Sequence, residues 1–389
     1  MNEITTEQNI EPEQEKGQYF TTNEILQEKV CSFILNKPTC VLEPCVGKGH
    51  LVNYIQSKME NLRFDMYEID ETLEMIGDLD PKDVTYQDFL LCDIEKKYQS
   101  IVGNPPFVKT KSGNLYHEFI WKCYELLDDK GELVFIVPSD FLKLTSSGKI
   151  LCEMLENGTF THIFQPNKEN LFDHASIDVI VFRYCKDKKL TNKVIINGTE
   201  KYLMNMNGII TFSDTKKRKI PRALGEDFTI FVGMVSGKEA VFKNNILGDK
   251  EVLNGKNLVE NYIILEDFPC DNDKVNEYLL EHKSELMERK IRKFTEKNWY
   301  QWGALRNIES VKEHEGKECI YVKTLTRSQE VGFIDHVRLF GGGLLVMIPK
   351  KKMNLSKVLE KINSESFRNN YIYSGRFKIG HKQLLNAVI

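Results

Sequence analysis

Four residues, Asn104-Pro105-Pro106-Phe107, follow the apolar run Ser100-Ile101-Val102-Gly103. Each proline fixes φ and removes an N–H, and the residue before a proline is driven out of the α region. The chain leaving this run is therefore a stiff loop with carbonyls and few donors. Such a loop can turn the Asn104 side-chain oxygen and the Pro105 carbonyl toward a planar NH₂ group and accept both of its protons. An amino group on a base ring is a feeble nucleophile, because its lone pair is delocalised into the ring. Two acceptors in that geometry favour pyramidalisation and push the lone pair toward an electrophile. Phe107 adds a face on which a base can stack. The pattern points to methylation of an exocyclic amino group. The plainer alternative is a strand-ending turn over a buried phenylalanine.

The elements upstream have the order of an α/β nucleotide site. Thr39 to Leu51 reads as a short apolar strand, a turn carrying Gly47 and Gly49, and the start of a helix. Glycines there let a cofactor lie close to the backbone at the C-terminal edge of a parallel sheet. The next strand, Phe64-Asp65-Met66-Tyr67, ends in Glu68-Ile69-Asp70, about 20 residues on, where an acidic side chain can hold the hydroxyls of a ribose. A third step, Val84 to Leu90, sets Asp88 and Phe89 ahead of the strand that delivers Asn104. Asp88 can accept from an adenine amino group while Phe89 packs on the ring; Phe89 taken alone also fits a core position.

In this order the motifs resemble the gamma-group DNA N6-adenine methyltransferases of bacterial restriction-modification systems and some viruses. That group carries a Gly-Gln-Tyr-Phe-Thr-Pro segment ahead of its glycine turn. Here it reads Gly17-Gln18-Tyr19-Phe20-Thr21-Thr22, with Thr22 in place of the proline. The resemblance continues through Gly131 to Phe141 and through Leu171 to Tyr184, where Phe172 corresponds to the aromatic facing the target base opposite Phe107. Phe172 also fits a buried residue opening a strand. The resemblance implies a Rossmann-like class I methyltransferase fold with a mixed, mostly parallel seven-stranded sheet, and S-adenosylmethionine as donor. It implies that Thr21 and Glu43 contact the donor's methionine part, with Pro44, Cys45, Gly47 and Gly49 forming the turn beside it. Glu68 with Ile69 would meet the ribose and adenine, and Asp88 with Phe89 the cofactor's adenine. Asn104, Pro105, Pro106, Phe107 and Phe172 would form the catalytic loop and base slot, with Asn104 and Pro106 also bordering the cofactor.

The 389 residues suffice for two domains with proper cores. Nine cysteines are scattered without a CxxC pair or a histidine cluster, so neither a disulfide framework nor a metal site is expected. The segment Met1–Glu15 is acidic and polar, and is expected to be a flexible tail rather than a signal peptide; with no membrane-spanning run in sight, a cytoplasmic protein is expected. The net charge of −4 hides a division: residues 215–389 carry 31 Lys+Arg against 23 Asp+Glu, net +8, leaving 22 against 34, net −12, for residues 1–214. A basic half is the footprint of a polyanion partner, although lysine-rich surfaces also simply dissolve.

The expected organisation is a tail over 1–16, a catalytic domain over 17–212, a basic linker over 213–224 and a smaller α+β target-recognition domain over 225–389. The opening Phe231 to Gly237 resembles that of target-recognition domains in the same group. Helical spacing covers Asn272 to Phe294. Candidate DNA contacts are Lys109 in the catalytic domain, Trp299, Trp302 and Arg306 in one loop, Arg327, and Arg376, Lys378 and His381 in another, as amides, guanidinium groups and aromatics read base edges or fill the gap left by an extruded base. For both tryptophans a local core is the alternative. The expected partners are double-stranded DNA, bound by a monomer, and a separate restriction endonuclease. Loops of the Asn-Pro-Pro-aromatic type also serve methylation of RNA bases and protein glutamine, and cytosine N4 can use the same acceptors.

Overall fold

The structure, a computed structural model, describes residues 19–110, 113–166, 171–172, 178–189, 191–206, 208–214, 222–373 and 375–389. The expected tail and the centre of the expected linker lie outside these residues. The chain divides into two compact units, Met1–Arg218 and Lys219–Ile389.

Among the described residues the first unit opens with helix α1 (Glu24–Phe33), capped by the Asn23 side chain accepting from Ile25 and Leu26 N–H. Then come β1 (Cys40–Glu43), α2 (His50–Lys58), β2 (Arg63–Glu68), β3 (Val84–Tyr86), β4 (Tyr98–Gly103), α3 (Leu115–Leu126), β5 (Leu127–Pro138), α4 (Gly148–Asn157), β6 (Thr159–Phe164) and β7 (Val179–Cys185). These strands lie in the order β3-β2-β1-β4-β5-β7-β6, parallel from β3 to β5, with β7 antiparallel to both its neighbours. Beyond β6 the sheet runs on through β8 (Lys193–Ile196), β9 (Thr199–Met206) and β10 (Ile209–Ser213), giving ten strands among the described residues where seven are expected. The β8–β9 hairpin turns on Asn197 and Gly198, both with positive φ, as a two-residue I′ turn requires.

Both faces of the sheet are covered at its centre, where most of β4, the second half of β5 and all of β7 are buried in near-continuous runs. Leu133, Phe135 and Val137 of β5 pack toward Tyr116, Phe119 and Ile120 of α3. The alternate residues Val134 and Ile136 pack toward Leu26 and Val30 of α1 and Leu51 and Ile55 of α2. At the start of this run Glu132, fully buried, meets Arg183 of β7 at 2.7 Å. Its carboxylate also accepts from Leu35 and Asn36 N–H and from the Ser100 hydroxyl, while Arg183 donates to Thr161 and Asn36. Every charged atom of the pair is thereby matched, which a buried pair needs to be tolerated.

The second unit is α+β. Its strands are β11 (Phe228–Val232), β12 (Lys250–Gly255), β13 (Leu258–Tyr262), β14 (Glu318–Lys323), β15 (Leu325–Thr326), β16 (Gly332–His336), β17 (Leu344–Pro349), β18 (Ile372–Tyr373) and β19 (Arg376–Lys378). The central antiparallel sheet has the order β11-β17-β14-β16, beside a β12–β13 hairpin and a small β15-β19-β18 sheet. The helical run expected over 272–294 breaks into α5 (Asp273–Glu281) and α6 (Lys283–Met287) at His282, and ends before the cations. Arg289 turns inward instead. It is 7% exposed and donates to the carbonyls of Leu286, Ser236, Trp299 and Gln301, tying three segments together.

Candidate active site

The glycine turn between β1 and α2 is held from the end of β2. Glu68 accepts from Gly47 N–H at 2.8 Å with one oxygen, and from Ile69 and Asp70 N–H at 2.9 and 3.0 Å with the other. Gly47 has φ +57°, and a Cβ there would come within 3.1 Å of the Phe20 ring; Gly49, at φ +86°, would set one 2.3 Å from Leu79. The left-handed backbone at both positions is what favours glycine, and the Phe20 and Leu79 side chains would have to give way to a Cβ.

Around this turn lies a cavity of about 710 Å³, lined by Pro44, Cys45, Gly47, Glu68, Ile69, Asp88, Phe89, Asn104 and Pro106, with Tyr19 and Phe20. Its volume lies within the range that takes a drug-sized ligand. Ile69 is 67% exposed, an apolar side chain offered at the mouth. Asp88 caps the short turn at Phe89–Leu91 by accepting from Leu90 N–H, and Phe89 is a buried wall packed on Phe119 and Tyr67. A smaller recess adjoining it is lined by Thr21, Glu43, Cys45, Gly47, His50 and Asn104. Gly49 borders neither cavity; it opens α2. Glu43 is 2% exposed. Burial raises its carboxyl to about 8, opposed by the Cys45 N–H and thiol and assisted by the Glu68 charge.

Asn104 is oriented by residues far away in sequence. Its Nδ2 donates to the Tyr19 carbonyl at 2.7 Å and to the Thr21 hydroxyl at 3.1 Å. A carbonyl only accepts, so this contact settles which end of the amide is nitrogen. Its Oδ1 is buried without a hydrogen-bond partner. A buried acceptor left unmatched is uncommon and calls for a reason, and a ligand donor is the one its setting suggests. Pro105 is buried, while Pro106 and Phe107 are half-buried. The Thr22 N–H donates to Phe20 O at 2.9 Å, a bond that the family's proline at this position could not make.

Three aromatic rings meet beside this loop. Tyr19 stacks on Phe107 at 5.6 Å, Phe172 stands edge-on to Phe107 at 6.2 Å, and Tyr19 to Phe172 is 5.8 Å. Phe172 is 4% exposed and belongs to the core beneath α1 and α2. The rings are in mutual contact, so a base stacking between Phe107 and Phe172 would have to part them. Tyr19 was absent from the residues expected from sequence; its place in the Gly-Gln-Tyr-Phe-Thr segment was the available signal.

The DNA-contact candidates sort by exposure. Lys109, Arg306, Arg327 and Lys378 are exposed. Trp299 and Trp302, at 3% and 4% exposed, are core: Trp299 packs on Phe268, and Trp302 donates to Ile263 O at 2.8 Å against Tyr262 and Phe242. Their surroundings are too apolar and well matched for a surface reading loop. His381 lies 2.9 Å from Ile230 O, and Arg376 sits half-buried on β19. Sequence reasoning missed a cleft of about 450 Å³ in this unit, where segment 234–239 faces Gly341-Gly342-Gly343, Asn254 and Tyr262. A Cβ on Gly342 would press within 2.8 Å of Val235, whereas Gly343 has open space. Tyr262 bonds to Glu239 and Asn254, giving the cleft a rigid polar floor.

The nucleoside-sized cavity, the strand-end acids and the unmatched Asn104 oxygen fit S-adenosylmethionine beside an amino acceptor. Comparisons with known proteins point to methylases. Residues 52–172 match the sequence model of the Eco57I restriction-modification methylase family. The type II methyltransferase M.HincII of Haemophilus influenzae is 31% identical over 205 residues, 46% of this chain and 39% of that relative. The type II methyltransferase M.CvrRI of Paramecium bursaria Chlorella virus XZ-6E is 25% identical over 248 residues, 57% of this chain and 63% of that relative. The chain thus spans about two fifths of the length of the Haemophilus relative. In fold, the type IIL restriction-modification enzyme MmeI, solved in complex with DNA, superposes with a TM-score of 0.55 at 10% identity, covering 92% of this chain and 63% of its own. The family match runs from α2 through the Asn-Pro-Pro-Phe loop to Phe172, and over this stretch the chain is similar to the Eco57I restriction-modification methylases and to type II methyltransferases.

Proposed function

We propose that the protein methylates N6 of an adenine turned out of duplex DNA at a short recognition sequence, as the modification half of a restriction-modification system. The observation that carries this is the Asn104 amide: its nitrogen is held by Tyr19 and Thr21, and its oxygen is buried and unmatched beside the cofactor cavity and Phe107. Only a donor group satisfies that oxygen, and an exocyclic NH₂ stacked on Phe107 supplies one.

The residues that would hold the donor are Glu68, Ile69, Asp88 and Phe89 around the nucleoside and Glu43 in the adjoining recess. S-adenosylmethionine, when bound, supplies a methyl group on a sulfonium. Asn104 Oδ1 and the Pro105 carbonyl accept the two N6 protons and localise the lone pair on nitrogen. Phe107, half-buried, offers the extruded ring a stacking face worth roughly 1–3 kcal/mol against the few kcal/mol needed to unstack it, and Phe172, in edge contact with Phe107, would have to draw aside to border the same slot. The alkylated nitrogen is cationic and strongly acidic, and it gives up one proton to water; the neutral Asn104 and Pro105 oxygens orient that proton without taking it up. Adenine is favoured over cytosine N4 by the motif order and by Phe107.

The basic second unit would bind DNA, with phosphate contacts from exposed cations and reading of the sequence from its glycine-bordered cleft rather than from Trp299 and Trp302. A separate nuclease is the partner this role implies. The test is Asn104→Ala. Turnover should vanish while DNA affinity stays within about threefold; retention of more than a few per cent of activity would refute the assignment.

A further inference from the structure

A primary amide has two nearly isosteric ends, and a half-turn of its terminal torsion exchanges them. In Asn104 that exchange would be fatal to the proposed chemistry, since NH₂ would then face the NH₂ of the base, donor to donor. Something must choose the end presented. The Nδ2 group has two protons, and two acceptors take them: the Tyr19 carbonyl at 2.7 Å and the Thr21 hydroxyl at 3.1 Å. The Tyr19 carbonyl makes the choice, because it cannot donate. Thr21 completes it by occupying the second proton, so that nothing on the nitrogen side is left to compete for a different partner.

The strap carrying these acceptors is itself tied down. Gln27 of α1, 7% exposed, donates to the Thr21 carbonyl at 2.7 Å, and Thr22 N–H closes on Phe20 O at 2.9 Å. Thr21 is 5% exposed, with its hydroxyl engaged at Asn104. We infer that Thr21 is a positioning residue: it acts on the transfer step by locking the Asn104 amide with Oδ1 toward the substrate, rather than by binding the methionine part of the donor as the family resemblance implies. This inference rests on the proposed role of Asn104 in accepting from the target amino group.

Thr21→Val removes the acceptor at constant shape, and Thr21→Ser restores it. Loss of one hydrogen bond that matters in the transition state should lower kcat about tenfold in Thr21→Val. The Kd for S-adenosylmethionine and the KM for DNA should stay within about twofold of wild type, and Thr21→Ser should recover most of kcat. A raised Kd for S-adenosylmethionine with an unchanged rate at saturation would make Thr21 a donor ligand and overturn the inference. An unchanged Thr21→Val enzyme would overturn it too. A second readout needs no turnover: with ¹⁵N-asparagine labelling, the Asn104 carboxamide signals, assigned by their loss in Asn104→Ala, should exchange slowly with solvent in wild type and measurably faster in Thr21→Val. Equal exchange in the two would refute the lock. Should wild type methylate no DNA, the functional reading falls, while the exchange comparison still decides the role of Thr21.

Discussion

Glu43 gives the site a pH dependence that can be worked out in advance. Its carboxyl stands at about 8 because burial opposes ionisation, whereas in an unfolded chain it would titrate near 4.3. Between these values the folded state holds a proton that the unfolded state has lost, so folding takes up a proton and stability declines as pH rises, levelling off above 8. At 1.36 kcal/mol per pH unit, and allowing for partial titration at each end, the decline from pH 5 to pH 8.5 is about 4 kcal/mol. Glu43→Gln keeps the shape and cannot titrate. Urea unfolding of the wild type and Glu43→Gln at pH 5, 7 and 8.5 isolates this group, because every other titration is common to both. The variant should gain on the wild type steadily across the series. Parallel stability curves would show that the buried carboxyl does not hold its proton, and the reasoning from burial would fail.

Phe107→Ala removes the stacking face and should lower kcat/KM for DNA about 10- to 100-fold, whereas Phe107→Tyr should stay near wild type; equal losses in both would point to a packing role instead. Glu132→Ala strands Arg183 in the core without its counter-charge and should destabilise the first unit by about 3–5 kcal/mol, read as a lowered urea midpoint, with Glu132→Leu/Arg183→Met milder than the single change. Lys238 borders the second-unit cleft and pairs at the surface with Glu285, a bond of small worth to the fold. Lys238→Glu should weaken DNA binding and reduce the slope of log K against log salt by about one if this cleft meets phosphate; an unchanged slope with altered sequence preference would assign it to base edges instead.

The parts of the site that could be read from sequence are those whose function is local. The glycine turn, the strand-end Glu68 and the Asn-Pro-Pro-Phe loop each declare themselves within a few residues, because φ, donor content and charge are properties of short segments. What escaped depended on contacts across the chain. The acceptors that orient Asn104 lie more than 80 residues before it, and Glu68 proved to hold the glycine turn as well as line the cavity. The three strands past β6 were signalled by Asn197-Gly198, a hairpin dipeptide that also fits an ordinary surface turn. Trp299 and Trp302 carry the residue type of a base-reading loop, and only their neighbours Phe268, Tyr262 and Ile263 show them to be core. The helical spacing over 272–294 ran through the break at His282, since periodicity does not register that Arg289 is needed inside. The second-unit cleft is assembled from segments around 236, 254, 262 and 342, a set that no window of sequence contains.

The central claim is transfer of a methyl group to adenine N6 in DNA. Purified protein incubated with labelled S-adenosylmethionine and unmethylated duplex DNA, with ribosomal RNA and protein substrates in parallel, gives products whose nucleosides can be identified by mass spectrometry. N6-methyladenine in the DNA, lost in Asn104→Ala, is the predicted result. Label in N4-methylcytosine, or in RNA or protein with none in DNA, would contradict the account.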